Sequence, residues 1–138
     1  MILNPQTRSI LETAQVARLA TSCNDQPHLI PVVFVFDGIH IYIPLDEKKK
    51  KSASPENLKR VKNIMKNPRV AFLVDRYDDD WTELFFIMIT GKASILPAEN
   101  CAEAFGKLAS KYPQYQKVGH GSTCIRIKPE RVTAWKNS

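Results

Sequence analysis

Short apolar runs alternate with polar breaks along most of the chain, and this pattern predicts antiparallel strands joined by turns. In the first half, apolar runs of strand length cover residues 16–22, 28–36 and 39–43. Asn24-Asp25-Gln26 and Asp37-Gly38 separate these runs and are turn sequences, because Asn, Asp and Gly tolerate the backbone angles that tight turns need. Pro31 cannot donate to a β-ladder, so we expect the second strand to lie at a sheet edge or to carry a bulge.

The second half continues the pattern with longer strands. Apolar runs cover residues 69–77, 84–96 and 123–128, and residues 132–135 are candidates to extend the last one. Gly91 interrupts the 84–96 run, which predicts a bulge, since glycine inside a strand often marks one. The chain therefore has about six strands at hairpin spacing.

Three segments with helical spacing accompany the strands. Asn4-Pro5 offers an N-cap followed by proline at the first helical position, which predicts a helix over about residues 5–14. Ser54-Pro55 and Asn67-Pro68 bracket a second helix, whose predicted apolar stripe is Leu58, Val61, Ile64 and Met65. Residues 97–111 fit a third helix, with inward positions at Cys101, Phe105 and Leu108.

These elements predict a single domain spanning residues 1–138. The strands show no β-α-β repetition, and the chain has no internal repeat or low-complexity linker. Such a pattern is typical of an antiparallel barrel or sandwich with helices packed at its ends. The glycine motifs of Rossmann and P-loop nucleotide sites are absent, so a nucleotide-like ligand would have to bind in another way.

The composition supports a globular protein outside the membrane. Its 138 residues are 43% hydrophobic and 25% charged, which is enough apolar mass for a core and too little charge for global disorder. No apolar run approaches the length of a membrane span and the first residues lack a signal-peptide layout, so we predict a cytoplasmic location and no membrane partner. Three scattered cysteines without a CxxC pair predict buried thiols rather than a disulfide framework or a zinc site; they are Cys23, Cys101 and Cys124.

The positive charge is concentrated in one window. The formal net charge is +6, and much of the positive charge lies between residues 48 and 69, in the run Lys48 to Lys51 and in the helix after it. A lysine cluster at a strand-to-helix junction can surround a phosphate with ammonium and backbone N–H groups, which predicts a phosphate site. The simpler alternative is a solvated loop that keeps the protein soluble.

Other candidate chemistry has less support. The histidines share no metal-ligand spacing, and the turn at Asp78-Asp79-Asp80 has no accompanying histidine, so no metal site is predicted. No serine stands in a GxSxG context, which leaves nucleophilic hydrolysis without support. Trp81 has two interpretations: an aromatic anchor at a hairpin end, or a cover for a ring-shaped ligand or a partner subunit.

Several motifs, taken in order, resemble a known family. They are Arg18-Leu19-Ala20-Thr21, residues 26–32, Tyr42 with the lysines after it, Asn63-Ile64 and residues 67–71. Over residues 16–96 the set is similar to the pyridoxamine 5'-phosphate oxidase-like proteins, which are FMN-binding split β-barrels. Residues 74–81 resemble the subgroup that uses the deazaflavin coenzyme F420 instead of FMN.

The resemblance implies a fold that is mainly β with short helices, an antiparallel six-stranded split β-barrel of Greek-key type. It also implies a homodimer that holds its cofactor at the interface. The edge of the isoalloxazine ring would bind along the second strand, and the residues there are Ile30, Pro31, Val32 and Val33. The phosphate would bind Tyr42, Lys48 and Lys49, or Lys48 and Lys50 if the cofactor is F420. The substrate pocket would lie between the second strand of one subunit and Trp81 or the C-terminal strand of the other.

Two departures from the family pattern bear on the activity. By alignment, Ile30 and Val35 stand where the true oxidase has an arginine and a lysine, and residues 133–138 lack its arginine-rich signature. We therefore expect this protein not to oxidise pyridoxamine phosphate. The predicted function is an FMN- or F420-dependent oxidoreductase that transfers hydride to or from a small organic substrate. Because the cofactor would carry the chemistry, no catalytic residue is identified.

The cofactor and the class of function stay open at this point. FMN needs only the phosphate site, whereas the acidic tail of F420 would need a basic landing surface such as Arg60, Lys62 and Lys66. A second interpretation is a non-catalytic anion- or nucleic-acid-binding module whose lysines neutralise phosphates. The basic window lacks the interleaved aromatics that single-strand binding uses, so nucleic acid is the less favoured partner. A third interpretation is a protein that stores or senses flavin without turnover.

Overall fold

Seven antiparallel strands form one curved sheet in the part of the chain that the structure describes. This computed structural model describes residues 3–45, 58–116 and 123–137. The strands are β1 Ala17–Cys23, β2 Gln26–Val32, β3 Val35–Phe36, β4 Ile41–Leu45, β5 Arg69–Arg76, β6 Phe85–Leu96 and β7 Thr123–Lys136. The α-helices are α1 Pro5–Thr13, α2 Lys59–Lys66 and α3 Ala102–Lys111, and short 3-10 helices cover Trp81–Glu83, Ala98–Asn100 and Pro113–Gln116. The prediction of a mainly β, antiparallel fold with short helices is confirmed.

The predicted count of six strands is wrong by one, because the apolar run over residues 28–36 folds as two strands. The chain changes its pairing partner at Val33 and Phe34: β2 pairs with β1, whereas β3 pairs with β4. The sheet order is β2-β1-β5-β6-β7-β4-β3, so β2 and β3 lie at its two ends although they adjoin in sequence. The sheet must therefore curl until its ends meet, which makes a barrel that is split at this junction.

The core fills the inside of this barrel. Buried and less buried residues alternate along β1 and β5, as expected for strands with one face on the core. Phe34 and Phe72 meet edge to face, with ring centroids 4.9 Å apart. A second buried cluster forms where α3 packs against β3 and the start of β7; its members are Val35, Cys101, Phe105, Leu108, Tyr112 and Cys124.

Local signals in the sequence explain where several elements begin and end. The side chain of Asn4 caps α1 by accepting a hydrogen bond from the Thr7 N–H at 2.8 Å. In the hairpin between β3 and β4, Asp37 Oδ1 accepts from the N–H groups of Ile39 and His40, and Gly38 adopts a positive φ of 97°. Ile39 lies in this turn and is 70% exposed, so the strand begins later than predicted.

Helix α2 differs from its predicted apolar stripe at two positions. Met65, expected on the buried face, is 73% exposed, whereas Asn63 is buried. The helix packs on β1, and the Asn63 amide donates to Thr21 Oγ1 at 3.0 Å, which allows a polar side chain to be buried there. The helix ends at Asn67 before Pro68, as predicted, and the predicted start at Ser54-Pro55 lies outside the described residues.

The two longest strands, β6 and β7, pair along most of their length. Their register shifts between Thr90 and Gly91, which confirms the predicted bulge. A Cβ at Gly91 would collide with the backbone carbonyl of Lys128, so only glycine permits this close approach. Pro129 sits opposite Gly91 at the bulge, and β7 continues through it to Lys136 instead of breaking there.

No helix within residues 3–45, 58–116 and 123–137 has the length and apolar character needed to cross a membrane.

Candidate functional site

The junction between β2 and β3 carries the four residues predicted to bind a ring. Ile30 and Val33 are half-buried, Pro31 is exposed and Val32 lies in the core. Among the described residues, β2 and β3 have no partner strand on their outer flanks, because they are the ends of the sheet. Backbone N–H and C=O groups on such an edge can hydrogen-bond a ligand. Val32 can offer only its backbone, since its side chain is buried. The prediction that Pro31 lies on an edge strand is confirmed.

Side chains from the end of α3 hold the point where the strand changes partner. The Tyr112 hydroxyl accepts from the Phe34 N–H at 3.3 Å and lies 3.2 Å from the Phe34 carbonyl and 2.8 Å from the Gln15 carbonyl. Lys111 Nζ donates to the same Phe34 carbonyl at 3.0 Å. These bonds satisfy backbone groups that neither β2 nor β3 pairs. Helix α3 therefore sets the direction of the chain between Val33 and Val35.

Lys111 is an unusual lysine because much of its side chain is buried. Its ammonium group lies 3.9 Å from the centroid of the Phe34 ring, a cation–π contact. Burial disfavours the charged form and lowers the pKa of Lys111 to about 8. A measurable fraction of this amine is therefore neutral near physiological pH.

Tyr42 lies beside the junction and is brought next to it by the β3–β4 hairpin. It pairs with Val35 on one side and with Arg126 of β7 on the other, and it packs against the second buried cluster together with Val33. Burial is the main cause that raises the pKa of Tyr42, and the nearby carboxylate of Asp37 raises it further, against the opposing effect of Arg126. The phenol therefore stays protonated at neutral pH and can donate a hydrogen bond.

Arg126 belongs to this site, although no sequence motif selects it. Its position in an alternating apolar strand is ordinary for a solvent-facing residue. Only the β4–β7 register pairs Arg126 with Tyr42, close enough for its charge to oppose the rise in the pKa of that phenol. A guanidinium group next to a phenol hydroxyl is a suitable pair for a phosphate or another oxyanion.

The predicted phosphate-binding lysines Lys48, Lys49 and Lys50 lie outside the described residues. The last described residue before them is Leu45, which pairs with Thr123. Near this end of the barrel, Lys62 and Lys66 of α2 line a groove of about 700 Å³ whose other walls are Val61, Met65, Ile95, Leu96, Pro97 and Thr123. Two of the three residues predicted as a landing surface for an acidic tail, Lys62 and Lys66, thus line a groove with mostly apolar walls.

Trp81 is 63% exposed and opens the short 3-10 helix before β6. The Asn137 amide donates to the Trp81 carbonyl at 2.7 Å, which ties this turn to the end of β7. Phe85, just after the turn, pairs with Lys136, whereas Tyr42 pairs with Arg126. About ten residues of β7 separate these two partners, which corresponds to roughly 30 Å along a strand. The Trp81 turn and Tyr42 therefore lie near opposite ends of β7.

The acidic turn before Trp81 is occupied with local hydrogen bonds. Asp80 Oδ1 accepts from the Thr82 N–H at 3.1 Å and from the Thr82 hydroxyl at 2.7 Å, and these bonds lower the pKa of Asp80. The carboxylate of Asp78 accepts hydrogen bonds from the Asp80 N–H and from the Arg76 guanidinium group. These bonds lower the pKa of Asp78. Within the described ranges, no group of three or more His, Cys, Asp or Glu side chains could hold a metal ion.

One outward face of the sheet carries apolar side chains on several strands, together with the Arg18–Asp75 ion pair, and we name it the apolar face. By register, the side chains on it include Leu29, Leu73, Phe86, Met88 and Trp135. Leu29 is 67%, Trp135 46% and Met88 36% exposed. The rings of Phe86 and Trp135 stack with centroids 6.1 Å apart. Pro31 lies on the same face, so the apolar face is continuous with the β2 edge.

Comparison with known proteins agrees with this fold. The family model described as pyridoxamine 5'-phosphate oxidase matches residues 4–136. A search among curated proteins found no significant match.

Three solved structures illustrate the similarity. A candidate pyridoxamine 5'-phosphate oxidase of Listeria innocua is 27% identical, with a TM-score of 0.70 over 96% of this chain and 97% of that chain. An FAD-binding protein of Mesorhizobium loti is 21% identical, with a TM-score of 0.68 over 96% and 94%. A heme storage protein of Vibrio cholerae is 13% identical, with a TM-score of 0.70 over 99% and 95%.

Proposed function

Because the chain belongs to the pyridoxamine 5'-phosphate oxidase family, we propose that it is a flavin-binding oxidoreductase that transfers hydride to or from a small organic substrate. The observation that carries this proposal is the unpaired β2–β3 edge beside Tyr42 and Arg126. The edge supplies backbone donors and acceptors for the polar rim of a flat ring. The phenol and the guanidinium supply hydrogen-bond donors for an oxyanion close to it.

The flavin, when bound, supplies the hydride acceptor and donor, and the chain's own residues bind and orient it. Residues 30–33 hold the ring edge through their backbone. Tyr42, kept protonated by burial, donates a hydrogen bond, and Arg126 adds positive charge. Lys48 and Lys49 are proposed to hold the phosphate after the end of β4. No residue of the chain has to act as a general acid or base for such a step.

FMN is the cofactor that these residues favour over F420. An acidic tail would need a polar landing surface, and Lys62 and Lys66 instead rim a groove whose walls are mostly apolar. A phosphate ester needs only a compact cluster of donors, which Tyr42, Arg126 and the nearby lysines can form. F420 remains the alternative, with Lys48 and Lys50 on its phosphate.

We also propose that two copies pack through their apolar faces and share the cofactor. Exposed apolar surface of this extent, with a stacked tryptophan in it, is typical of an interface. The apolar face reaches Pro31, so a second copy seated on it would also border the ring-binding edge. Trp81 would then cover the ring bound to the other copy.

A protein that stores or senses its cofactor is the second candidate function. Among the structural neighbours, one is named as an FAD-binding protein and another as a heme storage protein. Both functions use the same site. Reduction of the bound flavin by a nicotinamide donor, followed by reoxidation by an organic acceptor over many cycles, would separate an oxidoreductase from a binder.

The experiment that tests the proposal is a titration of the purified protein with FMN, followed by absorbance and flavin fluorescence. We expect retention of a flavin spectrum through gel filtration, and at least a tenfold weaker Kd for Lys48→Ala with Lys49→Ala, because two charge-assisted contacts are lost. The matched control is Lys92→Ala with Lys107→Ala, which removes the same charge from exposed positions on β6 and α3. Wild-type protein that retains neither FMN nor F420, or a Kd equal in both double variants, would refute the assignment.

A further inference from the structure

Two buried thiols face each other where α3 meets β7. Cys101 is the residue just before α3, and Cys124 is the second residue of β7. Both are free thiols, and both are completely buried. Their Sγ atoms are 2.7 Å apart. Because a disulfide bond is about 2.05 Å long, the two sulfurs are close enough for a small local movement to join them.

Hydrogen bonds of the two sulfur atoms are consistent with a reduced pair of thiols. Cys101 Sγ lies 3.3 Å from the Pro97 carbonyl oxygen, to which its single proton can be donated. Its sulfur lone pairs can then accept from the Cys124 thiol. Burial is the first cause that raises the pKa of Cys124, and the neighbouring Cys101 thiol raises it further. The resting pair is therefore two thiols, and it reacts slowly while it stays covered.

A short 3-10 helix leads directly into Cys101. The 3-10 helix Ala98–Asn100 is closed by two backbone bonds, from the Asn100 N–H to the Pro97 carbonyl at 2.9 Å and from the Cys101 N–H to the Ala98 carbonyl at 3.0 Å. Glu99 and Asn100 are exposed. Local opening of one such turn costs far less than global unfolding, so it gives an oxidant a route to the sulfur.

We propose that Cys101 and Cys124 are a redox modification site, at which hydrogen peroxide converts the two thiols into a reversible disulfide. One thiolate attacks a peroxide oxygen, breaks the O–O bond and becomes a sulfenic acid, while the other oxygen leaves as water after protonation. The second sulfur then displaces the hydroxyl group, which leaves as water, and the S–S bond forms. The two thiols lose two electrons and two protons, and one peroxide is reduced to two waters. A dithiol reductant reverses the reaction.

The position of the pair links it to the candidate site. The cross-link would fix the first turn of α3 to β7, while Lys111 and Tyr112 at the other end of α3 hold the Phe34 backbone. Val33 and Tyr42 pack against the same cluster as the two sulfurs. The oxidation state of the pair would therefore set how firmly the site's strand is held. The disulfide itself does not depend on the proposed function and is tested without flavin.

The test treats the folded, flavin-free protein with hydrogen peroxide, blocks remaining thiols with an alkylating agent and maps the peptides by mass spectrometry. We expect a mass loss of about 2 Da, equal to two hydrogen atoms, in a peptide pair that joins Cys101 to Cys124, and its reversal by dithiothreitol. The midpoint of thermal unfolding should rise by roughly 5 °C, because the cross-link closes a loop in the unfolded chain.

Cysteine variants serve as controls. Cys23→Ser should retain the joined peptides, since Cys23 lies elsewhere on β1, whereas Cys101→Ser should abolish them. The wild-type peptide map decides the question even if a variant folds poorly. The proposal is overturned if peroxide leaves Cys101 and Cys124 unlinked. This includes the outcomes in which both stay reduced, in which only Cys23 is oxidised, and in which Cys101 or Cys124 is oxidised to a sulfinic acid without forming the disulfide.

Discussion

The Tyr42 hydroxyl group is the side-chain donor that we propose for the bound flavin. Burial raises its pKa, so the hydroxyl is a donor at neutral pH. We predict that Tyr42→Phe weakens FMN binding about fivefold to tenfold, the usual effect of losing one hydrogen bond, and leaves the fold intact. The control is Tyr77→Phe, since Tyr77 is 72% exposed. Fluorescence titration measures both, and equal Kd values would remove Tyr42 from the site.

Lys111 should make stability depend on pH in the alkaline range. Its pKa is about 8 when folded and 10.5 in the unfolded chain, so between these values the unfolded state binds more protons. A base with a lowered pKa therefore contributes stability that increases as pH rises through this window. We predict that the urea concentration at the unfolding midpoint rises for wild type relative to Lys111→Met as the pH increases from 7.5 to 10.5. Urea unfolding at a series of pH values measures the difference, and a constant difference would contradict it.

Two glycines in different elements should respond oppositely to the same substitution. Gly91 forms the bulge between β6 and β7, where a Cβ would collide with backbone, whereas a Cβ at Gly106 in α3 would meet only open space. We predict that Gly91→Ala lowers the free energy of unfolding by roughly 2 kcal/mol or more, because backbone cannot move aside cheaply. Gly106→Ala should raise it by about 0.5–1 kcal/mol, since alanine favours helix. Urea unfolding of the two variants gives both values, and a neutral Gly91→Ala would mean that the bulge relaxes.

The β2–β3 segment shows how one element can serve two parts of a fold. It pairs with β1, is released over two residues and then pairs with β4. In the gap, Phe34 sends its ring into the core while its backbone is held by α3. The break in pairing leaves an edge for a ligand, and the anchoring of Phe34 keeps that edge in one conformation.

At the scale of the whole molecule, the apolar face should determine both assembly and binding. We predict that Met88→Asp shifts the protein towards a monomer in sedimentation velocity, because a buried carboxylate without a partner is costly. Flavin affinity should fall with it, since the proposed site lies between two copies. Met65→Asp is the matched control, because Met65 is 73% exposed on α2, outside the apolar face. A wild-type protein that is already monomeric would exclude the shared site.

Much of the fold could be predicted from the sequence, because the signals involved are local. Alternating apolar residues, Asn4 before Pro5, the turn at Asp37-Gly38 and the glycine at position 91 each act within a few residues, and each marks the structural feature expected of it. The ordered motifs from residue 16 onward indicated the family that the whole-chain match confirms. The cytoplasmic location, the homodimer and the cofactor's identity stay predictions.

The remaining features depend on contacts between residues that are distant in sequence. Burial of Asn63 rather than Met65 depends on Thr21 lying under the helix, and the site gains Arg126 only through the pairing of β4 with β7. In the same way, Cys101 and Cys124 meet because α3 packs on the start of β7. The sequence by itself determined most of the strands and turns, the start of α1 and the end of α2, since backbone preferences and apolar period are local properties. The tertiary structure alone decided which side chains share a site, because that follows from strand order and register.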